Sequence, residues 1–141
     1  MHDFDSASTA ARLAYVVGRF SRRLRSATGG LSHGLLSALA SVTKHGPIRF
    51  AELAQLEQVA APSITRMVAD LEARGLVARR ADPKDGRAAL IEVTEAGTDA
   101  IQRARAARAE VASELLQVLS SDEIATIEAA LPALTRMADE T

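Results

Sequence analysis

The chain has no cysteine and no tryptophan, and only 3% of its 141 residues are aromatic. Without cysteine there is no disulfide framework, no thiolate zinc site and no thiol-based redox sensor. So few rings make a stacked aromatic cage around a ligand a poor expectation. No stretch is long and apolar enough to span a bilayer, and the first residues lack the apolar core of a signal peptide, so a cytoplasmic address is expected. Histidine is scarce as well: His2, His33 and His45 are scattered, with no pair at helical metal-binding spacing. A nucleophile elbow is missing, and Gly29-Gly30 lacks the Lys-Ser/Thr that completes a phosphate loop. These absences argue against an enzyme, and no cofactor or metal is expected.

What is present suits one domain with a real core: 48% hydrophobic and 25% charged residues. The net charge of −1 hides an asymmetry. Residues 1–94 carry 13 Lys/Arg against 9 Asp/Glu, and residues 95–141 carry 4 against 9. A basic front on an acidic remainder suits a partner such as DNA, because phosphate binding needs a local positive face and not a positive total.

The most informative stretch runs from Ala61 to Gly97. Pro62 fits a helix's first turn, where a missing N–H is harmless. Ile64, Met67, Val68 and Leu71 recur at 3-to-4 spacing and define one apolar stripe. Ser63, Thr65, Arg66 and Ala69 fall largely off it, leaving a small, polar, basic outer face. Gly75 supplies the left-handed residue that commonly ends a helix. Leu76 to Arg80 and Ala89 to Val93 read as two short strands around Asp82-Pro83-Lys84-Asp85-Gly86-Arg87, a run of turn formers. A helix followed by such a charged finger is the winged form of helix-turn-helix.

The run from Asp82 to Arg87, followed by Leu90, Val93-Thr94-Glu95 and Gly97, resembles the wing signature of MarR-type transcription regulators, and Pro62 to Val77 resembles their recognition helix. The resemblance covers nearly the whole chain. It implies a mainly α fold with a small β-hairpin wing, that is, a winged helix-turn-helix plus dimerisation helices. It further implies a homodimer that binds double-stranded DNA as a repressor of a pseudo-palindromic operator and is released by a small, often aromatic and anionic, effector. On this reading Arg66 contacts a base edge, with Ser63 and Thr65 beside it and Ala61 and Pro62 near thymine methyls. Arg87 resembles the minor-groove arginine of the family, and Asp85 is expected to orient its guanidinium through a bidentate pair. Arg79, Arg80 and Lys84 are the expected phosphate contacts. Read without the wing, Arg66 is more readily a solvated helix residue than a DNA contact, and Asp85 with Arg87 is equally an ordinary turn ion pair worth little.

In chain order, residues 1–7 read as a disordered start. Ser8 to Ser26 reads as a helix with Leu13, Val16, Val17, Phe20 and Leu24 on one side. Arg19, Arg22, Arg23 and Arg25 near its end suit the helix dipole on a solvated face, or alternatively contact phosphates or an anionic effector. Leu31 to Lys44 is the next helix. Ile48, Phe50, Leu53, Ala54 and Leu56 belong to the first helix of the helix-turn-helix, with the turn near Gln58 to Ala60. Arg49 and Ala60-Ala61 stand where the family often has capping Ser or Thr. Thr94 caps a long helix to about Leu119; Ser120 with Glu123 is a capping box opening a last helix, which Pro132 is expected to kink or split. The resulting division is residues 1–30 for a dimerisation helix, 31–97 for the winged helix and 98–141 for further dimerisation helices. Candidate effector contacts are Tyr15, Arg19, Arg22, His33 and Phe50. The rival reading is a winged helix that serves as a protein-interaction or dimerisation module without DNA binding.

Overall fold

Leu39, Leu53, Ile64, Val68, Leu71 and Ile91 are fully buried, and they come from four separate elements of the chain. The structure, a computed structural model, describes residues 6–140. Its elements are α1 (Ser6–Leu24), α2 (His33–His45), β1 (Ile48–Arg49), α3 (Phe50–Glu57), α4 (Ala61–Ala73), β2 (Val77–Ala81), β3 (Ala89–Val93), α5 (Glu95–Leu116) and α6 (Ser121–Asp139). Among the described residues the fold is mainly α with one small antiparallel sheet, ordered β1-β3-β2.

The core lies where α2, α3 and α4 meet the sheet. Leu35, Leu36, Leu39 and Val42 of α2 face Leu53 of α3, the Ile64-Val68-Leu71 stripe of α4 and Ile91 of β3, and Ala100, Ile101 and Ala104 extend it along the first half of α5. Truncating one of these fully buried leucines to alanine costs about 2–5 kcal/mol.

Local chemistry explains most of the helix ends. Ser32 caps α2 by accepting from the Leu35 amide, so the helix starts two residues later than Leu31. Helix α4 closes with Gly75 at φ 75°, the Gly75 amide bonding the Glu72 carbonyl and the Leu76 amide that of Leu71. This is the Schellman arrangement, and it aims Leu76 into the core. Thr94 Oγ1 accepts from the Gly97 amide at 3.1 Å and donates to the Gly75 carbonyl at 2.6 Å. A Cβ at Gly97 would run into the Leu76 carbonyl oxygen, so the Thr-x-x-Gly spacing packs the start of α5 against the turn that ends α4. Ser120 and Glu123 form the full capping box.

Several expectations are corrected. Helix α1 begins at Ser6, so residues 6 and 7 are helical, while residues 1–5 of the expected disordered start lie outside the described residues. It ends at Leu24, leaving Arg25 beyond it and only Arg22 and Arg23 in its last turn. Ile48 belongs to a strand, not a helix: β1 pairs with β3 in the register Ile48↔Ile91 and Arg49↔Leu90. Two residues carry no periodicity, and the pairing that makes them a strand comes from far along the chain. Helix α5 ends at Leu116, ahead of Leu119. Pro132 does not split α6, which is continuous from Ser121 to Asp139; the segment is exposed, so water can serve the carbonyl that Pro132 leaves unbonded.

Candidate nucleic-acid interface

Helix α4 buries Ile64, Val68 and Leu71 and turns Ala61, Pro62, Thr65, Arg66 and Ala69 outward, with Ser63 half-buried between the two faces. Its first turn carries no acid. The first carboxylate on the helix, Asp70, is held by Arg74 at 2.8 Å. Thr65 Oγ1 donates to the Ala61 carbonyl at 3.0 Å, which leaves its oxygen free to accept. Arg66 is exposed and, among the described residues, forms no ion pair. Ala60 makes no side-chain cap here and Arg49 makes none for α3, as their residue types imply. Each missing cap costs about 1 kcal/mol relative to Ser or Thr.

The wing is the β2–β3 hairpin, in register from Val77↔Val93 to Ala81↔Ala89. Its tip is closed by short bonds: the Asp82 amide to the Ala88 carbonyl at 3.1 Å, and the Ala88 amide to the Asp85 carbonyl at 3.0 Å. Asp85 also takes the Arg87 amide on Oδ1 at 3.1 Å. The expected carboxylate–guanidinium pair of Asp85 and Arg87 is therefore absent; Asp85 shapes the backbone of the turn, because a side chain two residues back reaches the amide more easily than the guanidinium. Lys84 and Arg87 are exposed and unpaired among the described residues.

The cations of β2 are engaged already. Arg79 Nε lies 3.2 Å from Glu72 of α4, and Arg80 Nε lies 3.6 Å from Glu92 across the hairpin. At the root of the wing, Asp82 is buried, and both Nε (2.9 Å) and Nη2 of Arg49 donate to its Oδ2, while the Lys84 amide donates to Oδ1 at 2.9 Å. The Lys84 amide first, and then Arg49, hold the Asp82 carboxyl below the usual aspartate range; the same hydrogen bond raises the Arg49 guanidinium. Sequence reasoning treated Asp82 as a turn former and Arg49 as a lost cap. An arginine at a helix N-cap was the available signal, but nothing in the sequence named its partner 33 residues away.

This geometry agrees with the comparisons. The MarR family model matches residues 31–89, the span of α2 through the wing. An HTH-type transcriptional regulator of Mycobacterium bovis is 35% identical over 136 residues, covering 95% of each chain. The chain belongs to the MarR family. The HTH-type transcriptional repressor MdtR of Bacillus subtilis is 30% identical over 95 residues, covering 67% of this chain and 61% of its own length. Among solved structures, apo MarR of Escherichia coli superposes with a TM-score of 0.68 at 26% identity, covering 88% of this chain and 95% of that one. As a MarR-family protein the chain is a DNA-binding transcription regulator with a winged helix-turn-helix, not an enzyme.

The five candidate effector residues do not come together. Tyr15, Arg19 and Arg22 line one groove with Gly18 on the outside of α1, where Arg19 bonds the Tyr15 hydroxyl at 3.2 Å and lies 5.7 Å from its ring centre. His33 stands in a separate recess of about 200 Å³ with Ser21, Leu24, Arg25 and Arg108. Phe50 is elsewhere again, with the guanidinium of Arg79 over its ring. In that recess the Nε of Arg108 is buried without a hydrogen-bond partner. Sequence reading missed Ser21, Arg25 and Arg108 here, since three helices have to pack before they share a wall. Among the described residues no cluster of acids and histidines is arranged to hold a metal, and no helix is long and apolar enough to cross a membrane.

Proposed function

We propose that this MarR-family regulator is a homodimeric repressor of a pseudo-palindromic operator, acting in the cytoplasm and released by a small anionic effector. The observation that carries the DNA-reading part is a contrast among cations. Among the described residues, Arg66 on α4 and Lys84 and Arg87 on the wing tip are exposed and unpaired, whereas Arg49, Arg74, Arg79 and Arg80 are each committed to a carboxylate. Free cations on a helix and on a protruding hairpin are the groups that release counterions when they meet phosphate. In this reading Arg66 with Ser63 and Thr65 faces base edges in the major groove, Ala61 and Pro62 meet thymine methyls, and Arg87 enters the minor groove. Lys84 contacts phosphate, and Arg79 and Arg80 do so after exchanging their carboxylates for phosphate.

Dimerisation is supported by apolar surface left open in one chain. Tyr15, Val16, Val17 and Phe20 of α1 and Ile127, Leu131, Leu134 and Met137 of α6 are all exposed, and α6 has no buried residue. Exposed apolar side chains repeated along two helices of one chain are characteristic of an interface. Residues 1–30 and 98–141 would then hold the dimer and 31–97 would read DNA. The Bacillus relative named as a repressor supports repression. The recess of Ser21, Arg25, His33 and Arg108 supports an anionic effector: it joins α1, α2 and α5, so a ligand there would bias the spacing of the two reading heads.

The test is fluorescence anisotropy on fragments upstream of the gene, at about 50 and 200 mM salt, for wild type and Arg87→Ala. About six free cations in a dimer predict a loss of about 10³ in affinity over that salt range, with a shallower slope in the mutant. Binding no tighter than to random DNA, unchanged in the mutant, would instead support the protein-interaction module.

A further inference from the structure

Arg49 occupies the N-cap of α3 in extended conformation (φ −77°, ψ 153°), yet it makes no cap bond. A Ser or Thr with that backbone would satisfy a free amide of the helix. Its side chain reaches across to the far end of β2 and donates through two nitrogens to one oxygen of Asp82, the only polar or charged side chain among the described residues that is buried. The other oxygen of Asp82 takes the Lys84 amide, and the Asp82 amide holds the Ala88 carbonyl. Asp82 is therefore the knot from which the exposed tip, Lys84 to Arg87, springs, and Arg49 ties that knot to the root of α3. The next residue, Phe50, supports the same strand through Arg79.

We propose that Arg49 is a positioning residue for the wing: by gripping Asp82 it sets where Lys84 and Arg87 stand relative to Arg66 on α4. Strand β1 pairs with β3 only at Ile48↔Ile91 and Arg49↔Leu90, so the hairpin beyond Leu90 is two-stranded and has little of its own to hold its angle. Helix α3 packs on α4 through the core, so a tether from the start of α3 transmits the position of the recognition helix to the wing. The inference rests on the DNA-reading proposal above and makes two predictions that a plain surface cation does not.

The first concerns sign. If Arg49 merely contacted phosphate, Asp82→Asn would free it and remove a negative charge, and DNA affinity would rise. If Arg49 positions the wing, Asp82→Asn and Arg49→Thr both lower affinity, by about tenfold at ordinary salt for each phosphate that the wing of a subunit no longer reaches. The second concerns coupling. With the wing untied, Arg87→Ala has little left to remove, so its cost shrinks in the Arg49→Thr background, while the cost of Arg66→Ala is unchanged. Arg49→Thr also offers α3 a capping side chain, which offsets part of the stability lost with the Asp82 pair, so weaker binding measured well below its Tm is not general destabilisation.

The experiment is anisotropy on the full chain with the upstream fragment for wild type, Arg49→Thr, Asp82→Asn, Arg87→Ala, Arg66→Ala and the double variants. It is run beside amide hydrogen exchange at Lys84, Arg87 and Ala88. Weaker binding in both single variants, non-additive with Arg87→Ala, and faster exchange at the three wing amides without change in α4 are the expected results. Tighter binding by Asp82→Asn, or costs that multiply independently with Arg87→Ala, would overturn the proposal. Were the wild type to show no salt-sensitive DNA binding, the DNA-reading proposal would fail by itself. The exchange data would then decide the tether: unchanged wing amides in Arg49→Thr reject it, and faster ones establish it.

Discussion

The guanidinium of Arg79 lies over the ring of Phe50, 5.1 Å from its centre. Glu72 of α4 holds the same guanidinium, 3.2 Å from its Nε. Arg79 is thus a cation already occupied at the edge of the reading surface, and a phosphate has to compete for it. Removing the charge of Glu72 releases Arg79 and takes a negative charge away from the DNA. Glu72→Gln is expected to tighten binding several-fold and to steepen the salt dependence by about one phosphate per subunit. A titration of the variant across a series of salt concentrations measures both; weaker binding would mean that Glu72 orients Arg79 productively.

Among the described residues Arg66 has no ion-pair partner to lose. Arg66→Ala leaves stability within about 0.5 kcal/mol, as expected of an exposed residue without special contacts. Its effect falls on discrimination: the gap between the operator and single-base variants narrows by about 1–3 kcal/mol at one position in each half-site. Competition binding against a set of base-substituted operators locates that position. A uniform loss across all sequences would reassign Arg66 to phosphate.

Leu131 lies on the open face of α6, 49% exposed, on a helix that buries no residue within the chain. A charge placed there leaves the core intact and acts on association alone. Leu131→Asp is expected to convert a dimer to a monomer in sedimentation velocity, with an unchanged circular dichroism spectrum and a loss of operator binding. A variant that sediments as wild type would remove this face from the interface.

The pH dependence follows from Asp82, whose carboxyl is held below the usual aspartate range by the Lys84 amide and by Arg49. A carboxyl lowered on folding contributes stability in full above its unfolded pKa, about 3.9, and loses it as pH falls through the lower folded value. The difference in stability between wild type and Asp82→Asn should therefore stay constant from about pH 7 to about pH 5 and shrink below about pH 4. Urea denaturation at a series of pH values follows it. A difference that already shrinks near neutrality would place the titrating group elsewhere.

How much of this was legible in the sequence depended on reach along the chain. The stripe of α4, the glycine that ends it, the cap by Thr94 and the Ser120–Glu123 box all depend on residues within a few turns of helix, so spacing and residue type carried them. The outward position of Arg66 and the turn-rich wing were legible for the same reason. The sequence also determined that the terminal helices have apolar faces, since periodicity shows a face whether or not anything covers it. Only the tertiary structure decided which cations are free. Arg79 and Arg80 read as phosphate contacts until folding set Glu72 and Glu92 beside them. It alone made Ile48 and Arg49 a strand, tied Arg49 to Asp82, and brought Arg108 of α5 to His33 of α2. Ion pairs and strand pairing between distant residues leave no periodic trace, because the partner is chosen by how the core packs and not by its distance along the chain.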